Sequence, residues 1–221
     1  MGGYFFDFGF IYRNLPIFWS GLGVTLEVSV LAMAGAVVGG LVIAFGRMSR
    51  RVWLFAPATA YVEFLRNTPV LIQMFGLYFG LAVLGFRLSP ITAGVLALAG
   101  QNAAYLAEIY RAGIESVGRR QLEAALALGM RRWRAMRLVV VPIAVTRLVA
   151  PIGNQLVVII KDTSLVSSIS VYELTMEGKR LAERSAATYE VFATIAVFYL
   201  VLTSAVSLAL RFYERRVQLI F

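Results

Sequence analysis

The chain contains no cysteine and no histidine among its 221 residues. Without cysteine it forms no disulfide and offers no thiolate nucleophile or thiolate metal ligand. Without histidine it lacks the commonest metal ligand, the usual general base and the side chain that titrates near neutral pH. Metal sites built from these residues and histidine-dependent catalytic triads are therefore excluded.

Charged residues are also scarce, at 15% of the chain, against about 25% in ordinary globular proteins. Apolar residues make up 60% of the chain, and the mean hydropathy is +0.78. A soluble domain of 24.3 kDa has too little interior to bury so much apolar side chain. The composition predicts an all-α, multi-pass membrane protein in which residues 1–221 form one transmembrane domain.

Uncharged runs predict a bundle of about five transmembrane helices. Residues 191–210 are twenty residues without a charge, enough at about 1.5 Å per residue to cross a hydrocarbon core of about 30 Å. Gly35 and Gly39 form a small-residue stripe that lets another helix approach closely. The predicted spans are residues 20–45, 54–84, 89–110, 145–171 and 191–210.

The distribution of basic residues predicts the orientation of these spans. With the N-terminus outside and the C-terminus in the cytoplasm, fourteen arginines lie inside and five basic residues lie outside. Cytoplasmic loops carry an excess of Lys and Arg, so this orientation is preferred over its reverse. The same bias accounts for 21 basic against 12 acidic residues, and a nucleic-acid partner is not expected.

The predicted cytoplasmic loop, residues 111–143, carries the most informative pattern. From Gln121 it is rich in helix formers, and apolar residues recur at steps of four and three from Leu122 to Met136. Gly129 is unfavourable inside a helix, so it indicates a turn or a close backbone contact. Periodicity alone fits either an amphipathic helix on the inner leaflet or a helix that docks to a soluble partner.

The spacing within this loop is more specific. Glu123-Ala124-Ala125, then Gly129 after three residues, then Pro142 resembles the EAA motif of ATP-binding-cassette importer permeases. Val139 and Val141 stand where that family prefers Ile and Leu. Residues 64–80 resemble another segment of that family, with Asn67 replacing the usual glycine. Residues 104–117 and 161–170 resemble segments of its polar amino acid uptake branch.

This resemblance implies a transport subunit, not an enzyme, in the bacterial cytoplasmic (inner) membrane. The implied partners are a cytoplasmic ATPase dimer, a second permease subunit (identical or paralogous), an extracytoplasmic amino-acid-binding protein and the amino acid itself. The chain has no G-x-x-x-x-G-K-[ST] phosphate loop, so ATP and Mg belong on the ATPase and no cofactor is expected on this chain. The residues expected to couple to the ATPase are Gln121, Glu123, Ala124, Ala125, Leu126, Gly129, Met130, Trp133 and Pro142.

Ionisable groups at bilayer depth are costly and are candidates for function. Lys161 and Asp162 are adjacent, so on a helix they point about 100° apart and cannot simply neutralise each other. A zwitterionic solute would satisfy both, with Thr163 and Ser164 as hydroxyl donors. The alternative is that each pairs with a group on another helix, such as Glu27, Glu63 or Arg66.

Two further polar groups lie in the predicted spans. Gln101 and Asn102, with Tyr105 one turn later, could contact the solute or form hydrogen bonds between helices. Glu63 and Arg66 are three residues apart, which predicts an ion pair at a bend near Thr68 and Pro69 with a gating or structural role. Glu108 and Arg111 have the same spacing and are expected to be structural.

Two other functions fit part of this pattern. A channel or ion-coupled transporter could use Lys161, Asp162 and Glu63 without an ATPase. Alternatively, the chain could dock the ATPase while a paralogous partner holds the solute. The identity of the amino acid, and the choice between two identical permeases and a mixed pair, stay open at this point.

Overall fold

The computed structural model describes residues 6–117 and 119–218, with the side chains of residues 119, 120 and 215–218 left aside. Within those ranges the chain is helical and contains no strand. Besides α-helices, the described residues include two π-helical turns, at residues 76–80 and 136–140, and one 3₁₀ segment, at residues 163–169. The helices are α1 Phe8–Arg47, α2 Val52–Asn67, α3 Val70–Phe75, α4 Leu81–Val83, α5 Pro90–Ser116, α6 Arg119–Ala127, α7 Arg132–Ala135, α8 Val141–Asp162, α9 Leu174–Ser185 and α10 Thr188–Gln218.

Three stretches in the described part are long and apolar enough to cross a membrane, namely Phe8–Arg47, Arg132–Ile169 and Thr188–Glu214. They contain, or nearly contain, the predicted spans 20–45, 145–171 and 191–210. The other two predicted spans correspond to the interrupted run α2–α4 and to α5. The all-helical membrane architecture is confirmed, whereas the count of five and the outside N-terminus stay predictions.

The longest helix, α1, packs along α5 through small residues. A Cβ atom added at Gly35 would lie 3.0 Å from the Cβ of Ala99, and one at Gly39 would lie 3.2 Å from that of Ala103. These approaches are already tight, so a larger residue at either glycine would push the helices apart. The predicted small-residue contact between helices is confirmed.

A buried carboxylate fastens α9 to two other helices. Glu173 is fully buried and accepts hydrogen bonds from the backbone N–H groups of Thr175 and Met176, each at 2.9 Å. Its carboxylate also accepts from the Tyr199 hydroxyl at 2.9 Å and from Thr25 Oγ1 at 3.4 Å. Burial raises the pKa of Glu173 above its ordinary value, and the backbone hydrogen bonds oppose that shift. Glu173 thus caps α9 while joining it to α1 and α10.

Candidate functional site

The predicted cytoplasmic loop of residues 111–143, named the coupling loop after its expected role, turns at Gly129. The φ angle of Gly129 is 82°, a left-handed conformation that glycine adopts at little cost. The N–H of Met130 donates to the carbonyl of Ala125 at 3.1 Å, and the N–H of Gly129 donates to that of Leu126 at 2.9 Å. This pair of bonds is the Schellman motif, which ends a helix and satisfies its last carbonyls. The interpretation of Gly129 as a turn is confirmed, and the apolar stripe does not continue along one helix.

The two faces of this loop differ in exposure. Leu122 is half-buried against Val117, Val140 and Ala144, and Ala125 is 4% exposed. By contrast, Trp133 is 57% exposed, and Leu126, one helical turn after Leu122, is 38% exposed. We call the outward face of α6, α7 and their connection the coupling surface; it comprises Gln121, Glu123, Ala124, Leu126, Leu128 and Trp133.

The remaining residues predicted to couple have supporting positions. Ala125 packs inward, Met130 is half-buried in the turn, and Pro142 follows the π-helical turn of residues 136–140 that leads into α8. Helical spacing predicts local ion pairs of Glu123 with Arg119 or Arg120, but the side chains of both arginines lie outside the described part. Arg134 stacks on Trp133, with its guanidinium carbon 5.5 Å from the ring centroid, so the exposed tryptophan lies in a basic setting.

A break between α2 and α3 is stabilised by two amide side chains. Pro69 has no N–H, so the carbonyl of Leu65, four residues earlier, loses its helical partner. Gln73 Nε2 donates to this carbonyl at 3.0 Å and to that of Thr68 at 3.1 Å. Gln101 Nε2, from α5, lies 3.4 and 3.3 Å from the same two oxygens. Thr68 and Pro69 form the predicted bend, and Gln101 supports that bend through its amide.

Asn102 also forms a contact between helices. It is 1% exposed, its Nδ2 donates to the carbonyl of Leu98 at 2.7 Å, and its Oδ1 accepts from Gln155 Nε2 on α8. Both ends of its amide are therefore occupied by protein groups. Of the two interpretations given for Asn102, the structure favours the interhelical hydrogen bond over solute contact. Gln155, which follows Asn154 in an uncharged run, was not singled out from the sequence.

The prediction of an ion pair between Glu63 and Arg66 was wrong, because the two side chains do not pair in the part of the chain that the structure describes. Asn67 Nδ2 donates to the backbone carbonyl of Glu63 at 2.7 Å and to its carboxylate at 3.3 Å. Arg66 instead lies 4.0 Å from the carboxylate of Glu108 and stacks over Tyr105 at 5.2 Å. A carboxylate on a neighbouring helix thus takes the place of the local one.

Glu108 is a meeting point for three helices. Its carboxylate lies 2.8 Å from Arg47 at the end of α1 and 2.9 Å from Arg111 on α5, besides Arg66 on α2. Arg111 also pairs with Glu115 at 2.7 Å. The structural role expected for Glu108 and Arg111 is extended here to α1 and α2. Tyr105, whose ring stacks with the Arg66 guanidinium, lies beside this cluster.

Lys161 faces α10. It is exposed and lines a groove of about 380 Å³ between α8 and α10, together with Thr203, Ser204, Ser207 and Arg211. Ser207 lies four residues after Thr203 and three after Ser204, so the three hydroxyls share one face of α10, a pattern that could have been read from the sequence. The two cations and these hydroxyls give the groove the chemistry of a site for a carboxylate group.

The residues that follow Lys161 are arranged differently. Asp162 is half-buried, and no hydrogen bond or ion pair to its carboxylate is formed within residues 6–117 and 119–218. Thr163 is buried and its hydroxyl donates to the carbonyl of Ile160, while that of Ser164 donates to the carbonyl of Lys161. The structure therefore leaves Lys161 and Asp162 available and does not bring them together with Gln101, Asn102 and Tyr105.

Comparison with known proteins relates this arrangement to a family. Residues 36–219 match the family described as binding-protein-dependent transport system inner membrane component. The chain belongs to this family. The glutamine transport system permease protein GlnP of Escherichia coli is 37% identical, covering 97% of this chain and 99% of the relative. The probable glutamine ABC transporter permease protein GlnM of Bacillus subtilis is 34% identical, covering 94% and 96%.

A solved structure agrees with this assignment. The crystal structure of an amino acid ABC transporter with histidines is 38% identical, with a TM-score of 0.93, and covers 96% of this chain and 100% of that chain. The resemblance first seen in the EAA motif is therefore confirmed, as is a multi-pass location in the inner membrane. Members of this family are transport components, and a separate ATPase, a second permease and a binding protein complete their systems.

Proposed function

We propose that this permease is the membrane-spanning subunit of an ATP-driven importer that moves a polar amino acid into the cytoplasm by alternating access. The partner ATPase binds ATP and Mg and closes on the coupling surface, which reorients the helices. The observation that carries this proposal is the pair of short helices that turns at Gly129: α6 presents exposed Leu126, and α7 presents exposed Trp133, beside a family-matching EAA sequence. Apolar side chains on a short helix suit a groove on another protein.

The substrate class is supported by relatives and by chemistry. The names of both relatives refer to glutamine, and the groove beside Lys161 offers cations and hydroxyls. Lys161 or Arg211 would bind the carboxylate of an amino acid, and the free carboxylate of Asp162 would bind its ammonium group. Lys161, Asp162 and the α10 hydroxyls are the proposed solute contacts, and Gln101, Asn102 and Tyr105 position the helices around them.

Replacement of Asp162 by Asn tests this assignment. Because a hydrogen bond to a charged group contributes about 1.5–3 kcal/mol, the substrate KM for uptake is expected to rise about tenfold or more. The measurement is uptake of labelled amino acids into proteoliposomes that contain the permease, its ATPase and its binding protein. Glu183→Gln is the matched control, since Glu183 is an exposed carboxylate on α9.

The outcomes separate the candidate functions. An unchanged KM in Asp162→Asn would remove Asp162 from the solute site. Uptake that continues without ATPase, driven by an ion gradient, would contradict the importer and favour an ion-coupled transporter. If solute stimulates the ATPase as strongly in Lys161→Gln and in Asp162→Asn as in the wild type, solute selection would be assigned to the second permease.

A further inference from the structure

One side chain bridges the two ends of the coupling loop. Arg147, on the second turn of α8, donates from Nη1 to the backbone carbonyl of Ser116, the last residue of α5. The same nitrogen lies 3.0 Å from Ser116 Oγ. The last carbonyls of a helix lack partners within it and carry partial negative charge, so a guanidinium is favourable there. Arg147 thus joins the helix that enters the loop to the helix that leaves it.

Close packing surrounds this bridge. A Cβ atom added at Gly113 would collide with Leu148, so α5 and α8 touch one residue away from Arg147. Nearer the coupling surface, Val117, Val140 and Ala144 form a buried apolar cluster. Leu122 from α6 and Met136 from the segment after α7 pack against that cluster, along with Ile114 and Ile143.

We infer that Arg147 is a positioning residue that makes α5, the coupling loop and α8 move as one body. Leu122 on α6 and Met136 in the π-helical turn after α7 pack on the cluster, and the Arg147–Ser116 hydrogen bond joins α5 to α8 beside it. A displacement of the coupling surface therefore reaches both membrane helices. Without the bridge, the contacts of α6 with this cluster are apolar ones that can slide, and α5 and α8 follow the ATPase less completely. This inference rests on the proposed ATP-driven function.

The test compares Arg147→Met with Thr146→Val in the assembled complex. Methionine keeps an apolar stem and removes the guanidinium. Thr146 is the neighbouring residue, and in the described part of the chain its hydroxyl donates to the carbonyl of Ile143 on its own helix. Hydrogen exchange is measured with and without trapping of the ATPase by ATP and vanadate, which requires no solute.

In the wild type and Thr146→Val, trapping is expected to change exchange in the loop, at the end of α5 and in α8. In Arg147→Met, the change in residues 119–135 persists, while that in residues 106–116 and 141–155 falls about threefold or more. If trapping changes exchange in all three regions of Arg147→Met as much as in the wild type, the inference is overturned. Hydrogen exchange can be measured even if the complex takes up none of the amino acids tested. Absence of uptake would overturn the proposed function, not this inference.

A rescue experiment distinguishes positioning from general stability. The chain contains no cysteine, so the double variant Ser116→Cys/Arg147→Cys can be linked by a short bismaleimide without other reaction in this subunit. Linking is expected to restore uptake per ATP hydrolysed to about half of the wild-type ratio or more, from a value reduced about fivefold without the linker. A linked complex that stays uncoupled would show that the two ends must separate during the cycle, contrary to the inference.

Discussion

Replacement of Gly129 by Val is expected to reduce ATP-driven uptake about tenfold or more while membrane insertion stays unchanged. The φ angle of Gly129 is 82°, which a β-branched residue adopts only under strain of about 1–3 kcal/mol. Relief of that strain breaks the bonds from Met130 to Ala125 and from Gly129 to Leu126. The exposed Trp133 then moves relative to α6, and the coupling surface loses its shape. Uptake and ATPase activity in proteoliposomes measure this effect.

Gly129→Asn is the matched control. Asparagine adopts left-handed backbone angles more readily than other residues with side chains. A Cβ atom at Gly129 meets nothing within 4 Å, so the subunit itself has room for the side chain. Uptake near the wild-type level is expected for Asn. Equal loss in both variants would contradict the backbone explanation, and wild-type uptake in Gly129→Val would contradict the role of this turn in coupling.

Replacement of Glu108 by Leu is expected to destabilise the subunit by about 2–3 kcal/mol. The carboxylate is 19% exposed, and the nearest guanidiniums, of Arg47 and Arg111, are 14% and 32% exposed. Removing the carboxylate leaves these cations partly buried without their counter-charge, which costs more than the pair itself contributes. For a chain of this size the thermal midpoint in detergent should fall by about 5–10 °C.

A double-variant cycle identifies the cause of this destabilisation. If the partly buried cations without a counter-charge cause the destabilisation, Glu108→Leu/Arg47→Leu should be more stable than Glu108→Leu alone. The second change removes the least exposed of these cations. Additive losses would show instead that α1 and α5 depend on the volume of these side chains. An unchanged midpoint in Glu108→Leu would contradict the role of Glu108 in joining α1, α2 and α5.

Features that depend on local sequence were predicted well. The turn at Gly129 follows from glycine's low helix propensity, the bend at Pro69 from its missing N–H, and the α1–α5 contact from the spacing of Gly35 and Gly39. Each needs only the residue and its near neighbours. The family also followed from a motif confined to twenty residues of one loop.

Features that depend on the packing of distant helices were predicted less well. Sequence spacing alone predicts that Glu63 pairs with Arg66. In the folded chain Arg66 lies instead near the carboxylate of Glu108, which is 42 positions further along the sequence. Gln101 and Asn102 looked equally suited to solute or to helix contacts, because their partners Leu65 and Gln155 become neighbours only after folding. The Arg147–Ser116 bridge spans 31 residues and has no sequence pattern that indicates it.

The proposed function couples ATP hydrolysis on a partner to import of a polar amino acid. This coupling is tested by the ATPase rate of the complete complex in liposomes, with its binding protein and a panel of neutral, acidic and basic amino acids. One class of polar amino acid is expected to stimulate hydrolysis about tenfold in the wild type and little in Gly129→Val. Hydrolysis that no amino acid stimulates, or stimulation that Gly129→Val retains in full, would contradict it.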